Sequence, residues 1–137
     1  DGCVLRAIAS HLVEHIPPVQ VIDGATRFLF VEFMDEVWRV LKPGGQFAIS
    51  CPHGSSQGFL QDPTHCNPLN EATFGYFSPG HPSGLYWIYQ PKPWRIAHLS
   101  WNPAGNIEAL LEKIPPPDLP HPSTDRGGDV MEVSDGA

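Results

Sequence analysis

The spacing of apolar and polar residues changes along the first part of the chain, and each spacing predicts an element. CVLRAIAS, residues 3 to 10, is short and mostly apolar, bounded by Asp-Gly before it and a polar cluster after it. That pattern predicts a buried strand, with Ser10 and His11 delivered at its C-terminal end. Pro17 and Pro18 stop the short helical turn that the segment from His11 to Ile16 can make, because proline lacks an N–H and restricts the residue before it. Leu29, Phe33, Val37, Val40 and Leu41 then recur at three-and-four spacing, while Glu32, Asp35, Glu36 and Arg39 take the other face. This predicts a helix from about Ala25 to Leu41, with Asp23 as its N-cap, Lys42 near its negative end and Pro43-Gly44-Gly45 as its stop. QFAISC, residues 46 to 51, predicts a second buried strand. Strand, loop, helix, tight turn and strand make a βαβ unit, whose two strands should be parallel.

Beyond this unit the pattern loosens. Residues 52 to 83 are rich in Pro, Gly, Ser, Asn and His, with room for one helical turn at EATFGYF, and predict a long functional loop or lid. GLYWIYQ (84 to 90) and WRIAHLSW (94 to 101) carry the aromatic and β-branched content of strands, and PKP between them predicts an antiparallel pair. NIEALLEKI, 106 to 114, fits either a short helix or a third extended run. From Pro115 onward the chain turns proline-rich and then acidic, which predicts a disordered tail over 115 to 137 behind a domain spanning 1 to 114.

Composition narrows the function classes. With 137 residues, 41% hydrophobic and 10% aromatic, the chain has material for one core. A net charge of −7 and no basic cluster argue against nucleic acid as the main partner, since nothing is placed to exploit counterion release. No window resembles a membrane span or a signal peptide, so a soluble, cytoplasmic protein is expected. Three cysteines, Cys3, Cys51 and Cys66, without a C-x-x-C pair, point to reduced core or loop residues rather than a disulfide framework.

Two short motifs suggest hydrolytic chemistry. His11-Leu12-Val13-Glu14-His15 fits H-x-x-E-H, in which two histidines on one helix face bind zinc and the glutamate is the general base. Here the pattern follows an apolar strand directly and is cut by Pro17-Pro18, so the long ligand-bearing helix is missing and no metal is expected. A set of Cys51, His53, His65 and Cys66 has ligand atoms but no compact pair spacing. Gly54-Ser55-Ser56-Gln57-Gly58 fits the G-x-S-x-G nucleophile elbow, with Asp62 and His65 nearby to complete a Ser/Asp/His set. Pro52 and His53 separate this serine from the strand, and FLQDP does not look like a helix start.

A third pattern uses more of the chain. Ser10 to Pro17, then Glu36-Val37-Trp38-Arg39-Val40-Leu41-Lys42-Pro43-Gly44-Gly45, then the strand from Gln46 to Cys51, resembles the second half of a class I S-adenosylmethionine-dependent methyltransferase. Pro52-His53, Gln61-Asp62-Pro63-Thr64-His65 and Tyr76-Phe77 are similar to a subgroup of the methyltransferase type 11 kind. The resemblance covers about residues 3 to 114. It implies an α/β fold, part of a Rossmann-like seven-stranded sheet whose last pair is antiparallel, with residues 84 to 101 as that pair. It also implies that the glycine-rich cofactor loop and the acidic residue that holds the ribose would precede Asp1, leaving the N-terminal half of the sheet outside this chain. Ligands in such sheets lie outside the carboxyl ends of the strands. The resemblance therefore makes Ser10, His11 and Leu12 the cofactor-binding residues and S-adenosylmethionine the cofactor, bound weakly or not at all by this chain alone. His11, His53 and His65 are candidates to take a proton from the methyl acceptor, which the sequence does not name, and Asp62 is a candidate to orient one of them. The competing expectations are a hydrolase built on the serine or zinc motif and a remnant without activity.

Overall fold

The computed structural model describes residues 2–115, so the expected tail lies outside the described residues apart from Pro115. The fold is α/β, with a mixed open sheet of four strands and a separate two-stranded sheet. Strand β1, Val4–Ser10, and strand β4, Leu41–Pro52, run parallel with Ala7 beside Phe47 and Ser10 beside Ser50. Between them in sequence come a short hairpin, β2 (Gln20–Ile22) and β3 (Ala25–Arg27), and helix α1, Leu29–Val40. Strands β5, Trp94–Trp101, and β6, Asn106–Lys113, complete the sheet in the order β1-β4-β6-β5. β6, the last strand among the described residues, is inserted antiparallel between β4 and β5.

The strand–helix–strand unit matches its expected order and parallel pairing, with shifted boundaries, but β1 is not the buried strand expected: it lies at the sheet edge with Ala9 alone buried. Helix α1 begins at Leu29 rather than Ala25, and Asp23 is not its cap. Asp23 and Gly24 both have positive φ, 49° and 77°, and form the turn of the β2–β3 hairpin. Positive φ at both central residues is the geometry that matches strand twist in a two-residue hairpin, and Asp-Gly is a favoured pair for it. Arg27 then pairs with Glu32 in the first turn of α1, where a carboxylate also suits the helix dipole.

The expected antiparallel pair of 84–90 with 94–101 is not formed. Residues Tyr86–Tyr89 make a one-turn helix, α3, closed by Gln90 in the left-handed region and by a hydrogen bond from the Tyr86 hydroxyl to the Pro91 carbonyl. The partner of β5 is β6, the segment that sequence left open between helix and strand. Ile107, Ala109, Leu111 and Lys113 point inward at the period of two that a half-buried strand requires. Lys113 holds the end of that row because its ammonium donates to the Leu41 carbonyl at 2.8 Å and lies 3.8 Å from the centre of the Trp38 ring. Burial, then Lys92 nearby, push its pKa down.

One face of the sheet carries the core. Phe47, Ile49, Ala9, Ala109 and Leu111 meet Phe30 and Met34 of α1, and Leu69, Phe74 and Phe77 from the long 53–93 connection close it. On the opposite face Ile8, Ser10, Ala48, Glu108 and Leu110 line an open groove. There the Ser50 hydroxyl donates to Glu108 at 2.6 Å, and Leu5 and Ile8 remain largely exposed.

The Lys-Pro-Gly-Gly turn enters β4 as a register shift, between the Val4–Leu41 and Arg6–Gln46 pairings. Gly44 takes φ 73°, and a Cβ on Gly45 would lie 2.8 Å from the Lys42 carbonyl oxygen and 3.2 Å from that of Leu5. Both obstacles are backbone and cannot rotate away. Gly45→Ala is therefore expected to lower stability by about 1–3 kcal/mol, read from the urea midpoint. Gly80→Ala, whose Cβ meets nothing within 4 Å, is the matched change expected to leave it nearly unaltered.

Candidate functional site

The parallel pairing of β1 and β4 brings their C-terminal ends together. Just past β1, the His11 N–H donates to the Ser50 carbonyl at 2.8 Å while its φ of 51° turns the chain away from the sheet. Ser10, His11 and Leu12 are all exposed at this end. A non-glycine residue held in the left-handed region stores strain, and such positions concentrate at functional sites. Past β4, the His53 N–H donates to the Gly105 carbonyl at 2.8 Å and the Gly54 N–H to that of Leu69 at 2.7 Å, fixing the start of the long connection.

Two polar groups stand beyond these ends. In the first, His53 is buried between Ser55 and Glu71. Its Nδ1 accepts from the Ser55 backbone N–H at 3.2 Å, which places the ring proton on Nε2, and Nε2–H donates to Glu71 Oε2 at 2.9 Å. The Ser55 hydroxyl lies 2.9 Å from the same Nδ1 and 3.0 Å from the Pro103 carbonyl. The His53 imidazole holds the Glu71 carboxyl below the usual carboxylate range. The Ser55 hydroxyl donates to the Pro103 carbonyl, so a rotation of its O–H toward Nδ1 is what completes a serine–histidine–carboxylate chain along which a proton can move. The backbone donors nearby are already engaged, Ser55 N–H with His53 Nδ1 and Ser56 N–H with the His53 carbonyl. Those two N–H groups are not left over to hold an oxyanion, which acyl transfer requires.

The second group gathers around Glu14 in the turn Val13–His15. Glu14 is fully buried and neither carboxylate oxygen has a hydrogen-bond partner. His11 Nδ1 lies 3.5 Å and His15 Nε2 3.9 Å from its Oε1. Residues 62–67 fold back over this turn. The N–H groups of Cys66 and Asn67 donate to the Glu14 carbonyl at 2.9 and 3.0 Å, and the Asn67 amide donates to that of Val13 at 3.1 Å. That clamp brings the His65 ring against His15, with centroids 4.7 Å apart. His65 Nε2 is also 3.5 Å from Asp62 Oδ2. Asp62 accepts from the Thr64 backbone N–H and hydroxyl, which hold its carboxyl below the usual range.

Of the residues singled out in sequence, His11, Asp62 and His65 therefore share one cluster, and His53 belongs to the other. The elbow serine, Ser56, is buried and caps a one-turn helix, α2 (Gln57–Leu60), by accepting from the Phe59 N–H at 3.1 Å. Contrary to the expectation from FLQDP, a short helix does start here, two residues before Phe59, and it uses the serine as a cap rather than as a nucleophile. The residue that meets a histidine is its neighbour Ser55. Glu71 has no local motif to announce it, because its partner lies across the loop. Glu14 and His15 are signalled by H-x-x-E-H, and their pairing with His65 depends on the return of the 62–67 segment.

Cys51, in the inner row of β4, is buried beneath this end of the sheet, whereas Cys3 and Cys66 are exposed. Burial, then the carboxylates of Glu14 and Glu108, push the Cys51 thiol up to about 12. At pH 8, iodoacetamide is expected to label Cys3 and Cys66 and to spare Cys51 until the chain is unfolded, as read by peptide mass mapping.

Comparison with known families, with curated proteins and with solved structures finds no match to this chain. Among the described residues, no helix is long and apolar enough to cross a membrane.

Proposed function

We propose that this chain is the C-terminal part of a class I S-adenosylmethionine-dependent methyltransferase acting in the cytoplasm. The observation that carries the reading is the sheet. Two parallel strands joined through α1, the second entered by the Leu-Lys-Pro-Gly-Gly turn, are followed by β6, the last described strand, antiparallel to its neighbours. This agrees with the order of motifs in the sequence, and the open groove at Ile8, Ala48 and Leu110 is where the reading places the rest of the enzyme.

Ser10, His11 and Leu12 fit one wall of a cofactor cleft. They offer a hydroxyl, an imidazole and an exposed apolar side chain at the carboxyl end of a parallel strand. S-adenosylmethionine, when bound, supplies an electrophilic methyl group on a sulfonium. The chain's own contribution is to hold the acceptor in line and to take its proton. The Ser55 hydroxyl is exposed and, on rotating its O–H from the Pro103 carbonyl to His53 Nδ1, can pass that proton on, and Glu71 then stabilises the imidazolium through Nε2.

An amide NMR titration with S-adenosylhomocysteine tests the reading. One wall of a cleft should bind in the millimolar range, about 4 kcal/mol, with shifts confined to Ser10–Leu12 and the His53–Ser55 segment. No shift at these residues at millimolar ligand, or shifts centred elsewhere, would remove the basis for the assignment.

A further inference from the structure

We propose that Glu14, His15 and His65 form a binding site for a divalent transition-metal ion, with zinc the ion that their donor set fits best. One ligand atom from each of the three lies within 4.8 Å of the others. At zinc–nitrogen and zinc–oxygen distances of about 2.0–2.2 Å, tetrahedral ligand atoms sit roughly 3.3–3.5 Å apart, so small side-chain rotations close the site.

The hydrogen bonds orient the two rings for this role. His65 Nδ1 is 3.0 Å from the Phe59 carbonyl, which can only accept, so this nitrogen carries the proton and Nε2 keeps its lone pair. The Thr64 hydroxyl donates to Asp62 at 2.7 Å and so accepts from His15 Nδ1 at 3.1 Å, which again leaves a lone pair on Nε2. A ring N–H anchored on a carbonyl or a hydroxyl is how proteins fix the tautomer of a ligating histidine.

The independent observation is Glu14. Burying a carboxylate with neither oxygen hydrogen-bonded is costly, and a bound cation is one of the few partners that repays it. Two imidazoles and a carboxylate are a donor set for zinc rather than for magnesium or calcium, which favour oxygen ligands. Asp62 Oδ2, 3.5 Å from His65 Nε2, can provide a fourth ligand or hold a water there. This differs from the H-x-x-E-H arrangement, in which Glu14 would be a base and His11 a ligand. Here Glu14 ligates, and His65 replaces His11.

The test titrates zinc, and cobalt as a spectroscopic stand-in, into the metal-free 137-residue chain. One ion per chain is expected, with cobalt absorption of tetrahedral intensity and a rise in melting temperature. His15→Ala and His65→Ala should each weaken zinc binding by at least about 100-fold, and Thr64→Val, which only positions His15, by about 10-fold. Glu14→Gln preserves shape and should also weaken binding. His98→Ala, on β5, should leave affinity unchanged. Absence of stoichiometric zinc binding by the folded chain would overturn the proposal. So would binding that survives loss of His65 but not of His11.

Discussion

Trp94→Ala is expected to destabilise the chain by about 3–5 kcal/mol, enough to leave little folded protein if its stability is at the low end for a small domain. Trp94 is fully buried at the first position of β5, and its ring packs against Phe47 with centroids 6.0 Å apart. Phe47 in turn meets Phe33 of α1 at 6.1 Å, so the indole lies under the contact that joins helix to sheet. Truncation removes this surface from the core and leaves a void that β5 and β6, fixed by their ladder, cannot fill. The indole N–H itself has no hydrogen-bond partner. Trp94→Phe should therefore cost much less than the alanine change, since it keeps an aromatic ring and deletes an unsatisfied donor. Urea unfolding followed by far-UV circular dichroism separates the two. Equal losses would mean that the hydrogen-bonding view of the indole is wrong.

Glu14→Met is expected to act in the opposite direction, raising the stability of the metal-free chain by about 1–3 kcal/mol. A side chain of similar length keeps the Val13–His15 turn packed and removes a carboxylate whose oxygens are both buried without hydrogen-bond partners. The same change should let Cys51 ionise more easily, because the Glu14 charge is one of the causes that hold its thiol high. Unfolding measured in a chelator, with and without the substitution, gives the first effect, and thiol reactivity against pH gives the second. A variant less stable than the parent under these conditions would mean that Glu14 has stabilising partners of its own in the metal-free protein. Zinc should then stabilise the parent but not the variant, which separates the cost of the bare carboxylate from the gain on binding.

How far sequence reaches can be seen in particular elements. β1 was legible as a short apolar run between polar boundaries, and α1 and β4 because their apolar residues follow the period that burial on one side imposes. The β2–β3 hairpin was signalled by Asp23-Gly24, but the pair sits just before an amphipathic helix and also fits a capping role. GLYWIYQ has strand composition, yet Gly84 and Gln90 both adopt positive φ and bracket a single helical turn. In NIEALLEKI the alternation was present, hidden by Leu110 on the outer face and by a lysine in the inner row. Its inward-facing Lys113 makes sense only with the Leu41 carbonyl and the Trp38 ring in place. The site shows the same limit. His11, Glu14 and His15 were marked by their spacing, whereas the partnerships of His15 with His65 and of His53 with Glu71 arise from a loop that returns across the sheet ends.

The position of β6 also bears on how the chain is made. β6 is the last described strand in sequence, yet it occupies an interior place in the sheet and supplies the ladder between β4 and β5. During synthesis β1, α1 and β4 can associate as soon as they emerge, but β5 has no edge to join until residues 106–113 follow it. A nascent chain stopped before Asn106 would hold Phe47 and Trp94 on strands with no common neighbour. Completion of the core is thus tied to emergence of β6 from the ribosome, and until then the exposed edge of β4 is the surface most open to wrong pairing.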